Sequence, residues 1–220
     1  ILLSPSAPLG SCSVFGRVDQ NNVISALRGT ETLSDPTNML AIIIAEKLKH
    51  KIQSNISPLH YATTARVVRG QKFSGAATYA HFGLFGMVSS GKGTGSYFCE
   101  NALLKKHLTN YNELFKMQFS AKLSISLRKR GGYTDVDGFF RIMTKLIQTI
   151  FPDTPLSFDD SDIENKYYQG LNFKLFMERN GTVLEIGNGG FVDWTSQMFC
   201  RKKERCLISC VALDRLLLLN

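Results

Sequence analysis

Leu171, Phe173, Leu175 and Met177 recur at every second residue and lead into an Asn180-Gly181 pair. A period of two marks a strand with one apolar face, and Asn-Gly is the strongest short signal for a two-residue hairpin. Thr182 to Ile186 reads as the returning strand. Gly187-Asn188-Gly189-Gly190 reads as a place where backbones approach closely, and Phe191 to Phe199 as more strand. Arg201 to Arg205 reads as a charged connection, Cys206 to Ala212 as an apolar strand, and Leu213 to Leu219 as a helix entered directly from it. Strands joined by hairpins exclude the strict β–α alternation of a doubly wound fold.

Upstream the pattern changes period. The first thirty residues are mixed, broken by Pro5, Pro8 and Gly10. Leu40, Ile43, Ile44, Leu48 and Ile52 then recur at three and four, with Lys47, Lys49 and Lys51 between them, which predicts an amphipathic helix. Asp35 and Thr37, just ahead, are residue types that cap helix starts. Pro58 closes that unit. Leu59 to Val68 and Thr78 to Val88 read as an antiparallel pair joined by a loop over Arg69 to Ala77. Ser89 to Ser96 (SSGKGTGS) is dense in glycine, but Lys92 is not placed as in a phosphate-binding loop, so it reads as a strand-to-helix connection. Leu104, Leu108, Tyr111 and Phe115 form a helical stripe behind it. Met117 to Leu127 alternates as a half-buried strand, closed by Arg128, Lys129 and Arg130 as a solvated basic edge. Thr134 and Asp137 resemble a capping box for a helix with Phe139, Phe140, Met143, Leu146, Ile147 and Ile150 on one face, stopped by Pro152 and Pro155. Asp159, Asp160, Asp162 and Glu164 read as a solvated acidic loop. The expected fold is α+β over residues 1–220, a single domain with a mixed, mainly antiparallel sheet and flanking helices on one face.

Composition narrows the function classes. With 44% apolar and 20% charged residues, 220 residues suffice for one well-filled core. The net charge of +8 fits acidic or phosphate-bearing partners as well as plain solubility. No apolar run reaches the roughly 18 residues of a membrane span, and no basic-then-apolar leader is visible in the numbered chain, so a cytoplasmic setting is expected. Cys12, Cys99, Cys200, Cys206 and Cys210 contain no C-x-x-C pair and read as buried free thiols. His50, His60, His81 and His107 have no metal-ligand spacing, so no metal site is expected.

The ending carries a resemblance. An apolar strand running into Leu213-Asp214-Arg215-Leu216-Leu217 resembles motif 3 of class II aminoacyl-tRNA synthetases, whose arginine lies against the ATP triphosphate. Arg215 matches that arginine; a guanidinium offers a fork of donors to phosphate oxygens. Over nearly the whole chain the sequence resembles histidyl-tRNA synthetase and its non-ligating relatives. Ser4-Pro5 looks like the tail of motif 1, which implies a homodimer or hetero-oligomer through that strand. Leu33-Ser34-Asp35-Pro36-Thr37 resembles L-R-P-[DE]-x-T, so Asp35 and Thr37 inherit contact with an amino group. Arg66 matches the motif 2 arginine that grips the α-phosphate. His81-Phe82-Gly83-Leu84-Phe85 resembles Q-F-G-x-E, Tyr167-Tyr168-Gln169-Gly170 resembles Y-Y-T-G, and Gly189 to Asp193 resembles G-G-R-Y-D. The resemblance therefore implies an amino-acid site at Asp35, Thr37, His81, Tyr167 and Tyr168, with Arg66 and Arg215 as remnant anion contacts.

The departures shape the functional expectation. Val68 stands where motif 2 has glutamate, Phe85 where the imidazole-recognising glutamate belongs, and Phe191 at the arginine of G-G-R-Y-D. Ile163-Glu164-Asn165-Lys166 replaces an arginine-bearing R-G-L-D, and Ile208, Cys210 and Ala212 replace motif 3 glycines. Adenylation needs positive charge placed in advance of the transition state, and one lost donor costs about 10²–10³ in rate. The resemblance thus implies a chain with no catalytic residues, acting as the histidyl-tRNA synthetase-like regulatory subunit of ATP phosphoribosyltransferase in histidine biosynthesis. The implied partner is the short catalytic subunit and the implied effector histidine, with no ATP or Mg and no tRNA. No anticodon-binding domain follows motif 3 in the numbered chain. Two alternatives stay open: a histidyl-tRNA synthetase, whole or fragment, that ligates histidine to tRNA, and a pseudo-synthetase binding nucleic acid or protein through basic segments such as Lys105-Lys106.

Overall fold

Period-two segments become the strands of one large sheet. The computed structural model describes residues 1–16, 18–50, 58–72, 78–119, 122–159, 167–179 and 181–217. Strands β1 (Ser6–Pro8) and β2 (Thr30–Thr32) form a small antiparallel pair near the N-terminus, with the short helix α1 (Ser13–Gly16) and a 3-10 turn between them. Helix α2 (Pro36–Lys49) follows. Then come β3 (Leu59–Val68), β4 (His81–Lys92), α3 (Phe98–Phe119), β5 (Lys122–Lys129), α4 (Val136–Ile150) and β6 (Leu156–Phe158). The last part holds β7 (Gln169–Arg179), β8 (Thr182–Val192), α5 (Trp194–Phe199), β9 (Glu204–Ala212) and α6 (Leu213–Leu217). The main sheet has seven strands in the order β3-β4-β9-β8-β7-β5-β6. Every pair is antiparallel except β5 with β6, the pair bridged by α4. The α+β class read from the sequence is the observed one.

Helices cover both faces rather than one. On the first face α3 and α4 bury Leu104, Leu108, Phe139 and Met143 against Phe173 and Leu175. On the second, Leu40 and Ile44 of α2 pack with Val88 and with Trp194 of α5. Each such side chain, fully buried, contributes about 1.5–3 kcal/mol from its removal from water. No helix among the described residues is long and apolar enough to cross a membrane.

Several boundaries differ from the sequence reading, each for a local reason. Phe191 to Phe199 is not continuous strand. The chain leaves β8 at Val192, and α5 begins at Trp194, whose ring is buried against Phe15 at 5.1 Å. Helix α3 runs on to Phe119, so Met117 is helical and exposed, and the strand starts only at Lys122. Ser89 to Lys92 belongs to β4, while Thr78 to Ala80 precedes it. Helix α4 is capped by Asp135, whose carboxylate accepts the Gly138 N–H at 2.8 Å, rather than by Thr134. The basic edge is not solvated throughout: Arg130 is buried and its Nε donates to Asn172 Oδ1 at 2.6 Å. Cys200 is exposed, unlike Cys12, Cys99 and Cys206. Asp160, Asp162, Glu164 and Asn180 lie outside the described residues; Arg179 pairs with Thr182 across the turn, where Gly181 has φ 77°.

The glycines of β8 do what their density implied. A Cβ on Gly189 would stand 2.5 Å from Ser209 Cβ and 2.6 Å from both the Ile208 carbonyl oxygen and Phe173 Cζ. Two of these are fixed by the neighbouring strand, so the clash cannot be relieved by a rotamer. Gly189→Ala is expected to cost about 1–3 kcal/mol, read as a lower urea midpoint at unchanged slope.

Candidate functional site

Helix α2 begins where the sequence placed a cap. Asp35 is its N-cap and Pro36 its first residue, and Asp35 Oδ1 accepts from the Thr37 backbone N–H at 2.9 Å and the Thr37 hydroxyl at 2.7 Å. The helix start lies close on the sheet because residue 86 is glycine: a Cβ there would meet Pro36 Cγ at 3.0 Å and Cys210 Sγ at 3.3 Å. Beside this contact is a cavity of about 220 Å³. Asp35 and Thr37 form one end, and Tyr167, Tyr168 and Asn188 one side. Ile208, Cys210 and Ala212 of β9 form the floor, with Phe82 and Leu84 of β4 beside them. Glu185, Asp214 and Arg215 stand at the far end. Pockets that hold drug-sized ligands run about 300–1,000 Å³, so this one suits a smaller molecule.

Its charges are arranged in pairs. Arg69 lies just past the end of β3. Its Nε donates to the Ser34 carbonyl at 3.1 Å, its Nη2 stands 3.7 Å from Asp35 Oδ2, and its guanidinium lies 5.1 Å from the Phe82 ring centre. Glu185 accepts from Lys174 Nζ at 2.7 Å. Asp214 accepts the Gly83 N–H. Arg215 Nη1 donates to the Glu185 carbonyl oxygen at 2.7 Å, a neutral partner that leaves the guanidinium's positive charge in place. The Tyr168 hydroxyl donates to Asn188 Oδ1 at 3.0 Å. Burial first, and the Asp35 charge second, push the Tyr167 and Tyr168 phenols well above their usual range. The same two causes raise the Cys210 thiol, which is therefore a poor nucleophile. The site can bind polar groups through Asp35, Arg69, Glu185 and Arg215. Among the described residues no group of three His, Cys, Asp or Glu side chains is placed to hold a metal ion.

Solved structures share this arrangement of strands and helices. Histidyl-tRNA synthetase from S. aureus matches with a TM-score of 0.70 and 13% identity, over 99% of this chain and 59% of that one. A Bacillus halodurans protein described as an ATP phosphoribosyltransferase regulatory subunit/histidyl-tRNA synthetase matches at 0.70 and 13%, over 100% and 74%. The RNA binding domain of threonyl-tRNA synthetase from Cryptosporidium parvum Iowa II matches at 0.71 and 8%, over 100% and 58%. The chain has the class II aminoacyl-tRNA synthetase fold. No protein-family model and no curated protein matches it by sequence.

Within this synthetase-like fold, Asp35, Thr37, Tyr167, Tyr168 and Arg215 come together around the cavity. Arg66 and His81 do not. In β3 the side chains of Ala65 and Val67 face α2, so Arg66 between them faces the other way. Its Nε donates to His81 Nε2 at 2.9 Å and its Nη1 lies 3.8 Å from Asp214 Oδ1, on the face of α3 and α6. Phe85 is on that face too, edge-on to Tyr111 at 6.1 Å, so it has no place in the cavity. Phe191 is buried against Phe139 at 5.5 Å. Residues 163–166 lie outside the described residues. Sequence reasoning missed Arg69, Glu185 and Asn188. Arg69 was legible in principle: it is the first arginine beyond the strand, three residues from Arg66 and so of opposite parity.

Proposed function

We propose that this chain is a non-catalytic, histidyl-tRNA synthetase-like regulatory subunit of ATP phosphoribosyltransferase, binding a small zwitterion in its cavity. One observation carries the reading. The guanidinium matched to the α-phosphate contact, Arg66, faces away from the cavity floor and is engaged by His81 Nε2 and, at 3.8 Å, by the Asp214 carboxylate at the cavity's far end. The cavity, about 220 Å³ over a floor of Ile208, Cys210 and Ala212, suits one small amino acid. A carboxylate at one end, Asp35 beside Arg69, and a guanidinium at the other, Arg215 beside Glu185 and Asp214, face this space. That suits the ammonium and carboxylate of one amino acid, with histidine as the effector to test first. The name borne by the Bacillus halodurans relative supports the regulatory assignment. Control of a catalytic subunit would be a coupling of binding equilibria, with the effector favouring one state of the complex. The partner is the short catalytic subunit, and the setting the cytoplasm.

The test has separate arms. Histidine-dependent pyrophosphate–ATP exchange is expected to be absent; exchange at a synthetase rate overturns the non-catalytic reading. Mixing with a short ATP phosphoribosyltransferase is expected to give a complex and a changed rate; neither result removes the partner. Asp35→Ser keeps an N-capping hydroxyl and deletes the carboxylate. It is expected to weaken histidine binding, measured calorimetrically, by about 1.5–3 kcal/mol, tenfold or more.

A further inference from the structure

Under the cavity floor, on the opposite face of the sheet, runs a chain of polar side chains that no reading of the site uses. His60 on β3 is exposed, and its Nδ1 lies 2.6 Å from Ser89 Oγ on β4. Ser89 Oγ lies 2.8 Å from Nε2 of His107 on α3. His107 Nδ1 lies 2.7 Å from Ser209 Oγ on β9, and Ser209 Oγ lies 2.9 Å from the Tyr111 hydroxyl, again on α3. Ser89, His107, Ser209 and Tyr111 are all buried. Among the described residues Ser209 is the single hydrogen-bond partner of the Tyr111 hydroxyl.

Proton counting fixes a direction. A phenol at the closed end must give its proton to Ser209 or leave it unspent in the core, which is costly. Ser209 then donates to His107 Nδ1, so His107 carries its proton on Nε2 and donates it to Ser89. Ser89 donates to His60 Nδ1, which must be a bare nitrogen. Each proton in the chain has an acceptor, and the chain ends on the one ring that reaches solvent.

We infer that these five side chains form a directional relay whose polarity is set by His60, so that protonation at the sheet edge is transmitted to Ser209 beneath the cavity. One proton from solvent adds to His60 Nδ1. That nitrogen becomes a donor to Ser89. Ser89 turns to donate to His107 Nε2; His107 loses its Nε2 proton to solvent and gains one at Nδ1 during local opening, then donates to Ser209, and Ser209 turns toward Tyr111. The number of protons on the inner four residues is unchanged. The Tyr111 proton is left without an acceptor, so the relay resists the change. Ser209 lies between Ile208 and Cys210, whose side chains line the cavity, and this places the responding end directly under the candidate site. The groups facing the two ends agree with this sense. Lys106 and His107 of α3 face His60, and burial together with the Lys106 charge lowers its affinity for a proton. Burial first, with smaller contributions from Cys210 and Tyr168 on the other side of the sheet, keeps the Tyr111 phenol protonated.

Histidine tautomers by nitrogen NMR test the relay on the whole chain, independently of any ligand. At neutral pH His107 is expected as the Nε2–H form. As pH falls it is expected to convert to Nδ1–H in step with the titration of His60, which burial and the Lys106 charge place below the ordinary histidine range. Tyr111→Phe removes the stranded proton and is expected to raise the proton affinity of His60 about tenfold, one pH unit in its titration. His60→Gln supplies an amide that takes either role, so His107 is expected to stop responding. An Nδ1–H form at neutral pH overturns the inference. So does a tautomer that ignores the titration of His60, or an unshifted His60 in folded Tyr111→Phe.

Discussion

Acidification from about pH 6.5 to about pH 4 is expected to cost the folded chain about 3 kcal/mol through His107 alone. The ring is buried, and both nitrogens are engaged by serine hydroxyls, neither of which carries a charge to offset an imidazolium. Burial, with a smaller contribution from the nearby His60 charge, pulls its pKa from 6.5 down to about 3. The unfolded chain therefore takes up this proton first, so stability is full above 6.5 and is lost as pH falls toward 3. Glu204 works in the other direction, because burial raises its carboxyl and acid relieves that cost. Against a typical total of about 5–15 kcal/mol, the His107 contribution is large. Urea midpoints measured across this range should fall steeply in the native chain. In His107→Gln, which keeps hydrogen bonding but does not titrate, the slope should flatten. An equal slope in both chains would place the acid sensitivity elsewhere.

The elements that were legible in the sequence are those whose signal is local. Helix α2 follows from Asp35, Pro36 and an apolar period, and the β7–β8 hairpin from alternation around residues 180–181. Contacts made across long stretches of chain were not legible. Arg128, Lys129 and Arg130 look like a solvated run until Asp159, Asp137 and Asn172 are brought to them by β6, α4 and β7. The cavity was half legible for the same reason. Asp35 and Thr37 share a local turn, and Arg215 a strand-to-helix junction. Arg66 points away from the cavity floor, which a motif match could not show, because it fixes a position in the chain while the face of a strand depends on parity against its neighbours. In a strand a shift of one residue exchanges the two faces completely.

Arg205 makes the consequence of such a distant contact measurable. It sits in the charged run read as a connection, yet its Nε donates to Glu100 Oε1 at 2.6 Å across 105 residues. Glu100 is in the first turn of α3 and only 2% exposed. Tyr133 adds its hydroxyl to the same oxygen at 3.3 Å, and its ring centre lies 5.8 Å from the Arg205 guanidinium. Arg205 also donates to the Lys202 carbonyl oxygen at 2.8 Å, which fixes the turn into β9. Arg205→Met keeps much of the stem and removes the charge, leaving Glu100 as a buried carboxylate with one weak donor. Removing one partner of a buried pair costs about 3–5 kcal/mol, whereas replacing both by apolar side chains is often neutral. Arg205→Met is therefore expected to lower stability by that amount, and Arg205→Met with Glu100→Met to recover most of it. Denaturant midpoints of the four chains of this cycle give the coupling directly. A double variant as unstable as the single one would mean that Arg205 acts through the turn at Lys202 rather than through Glu100.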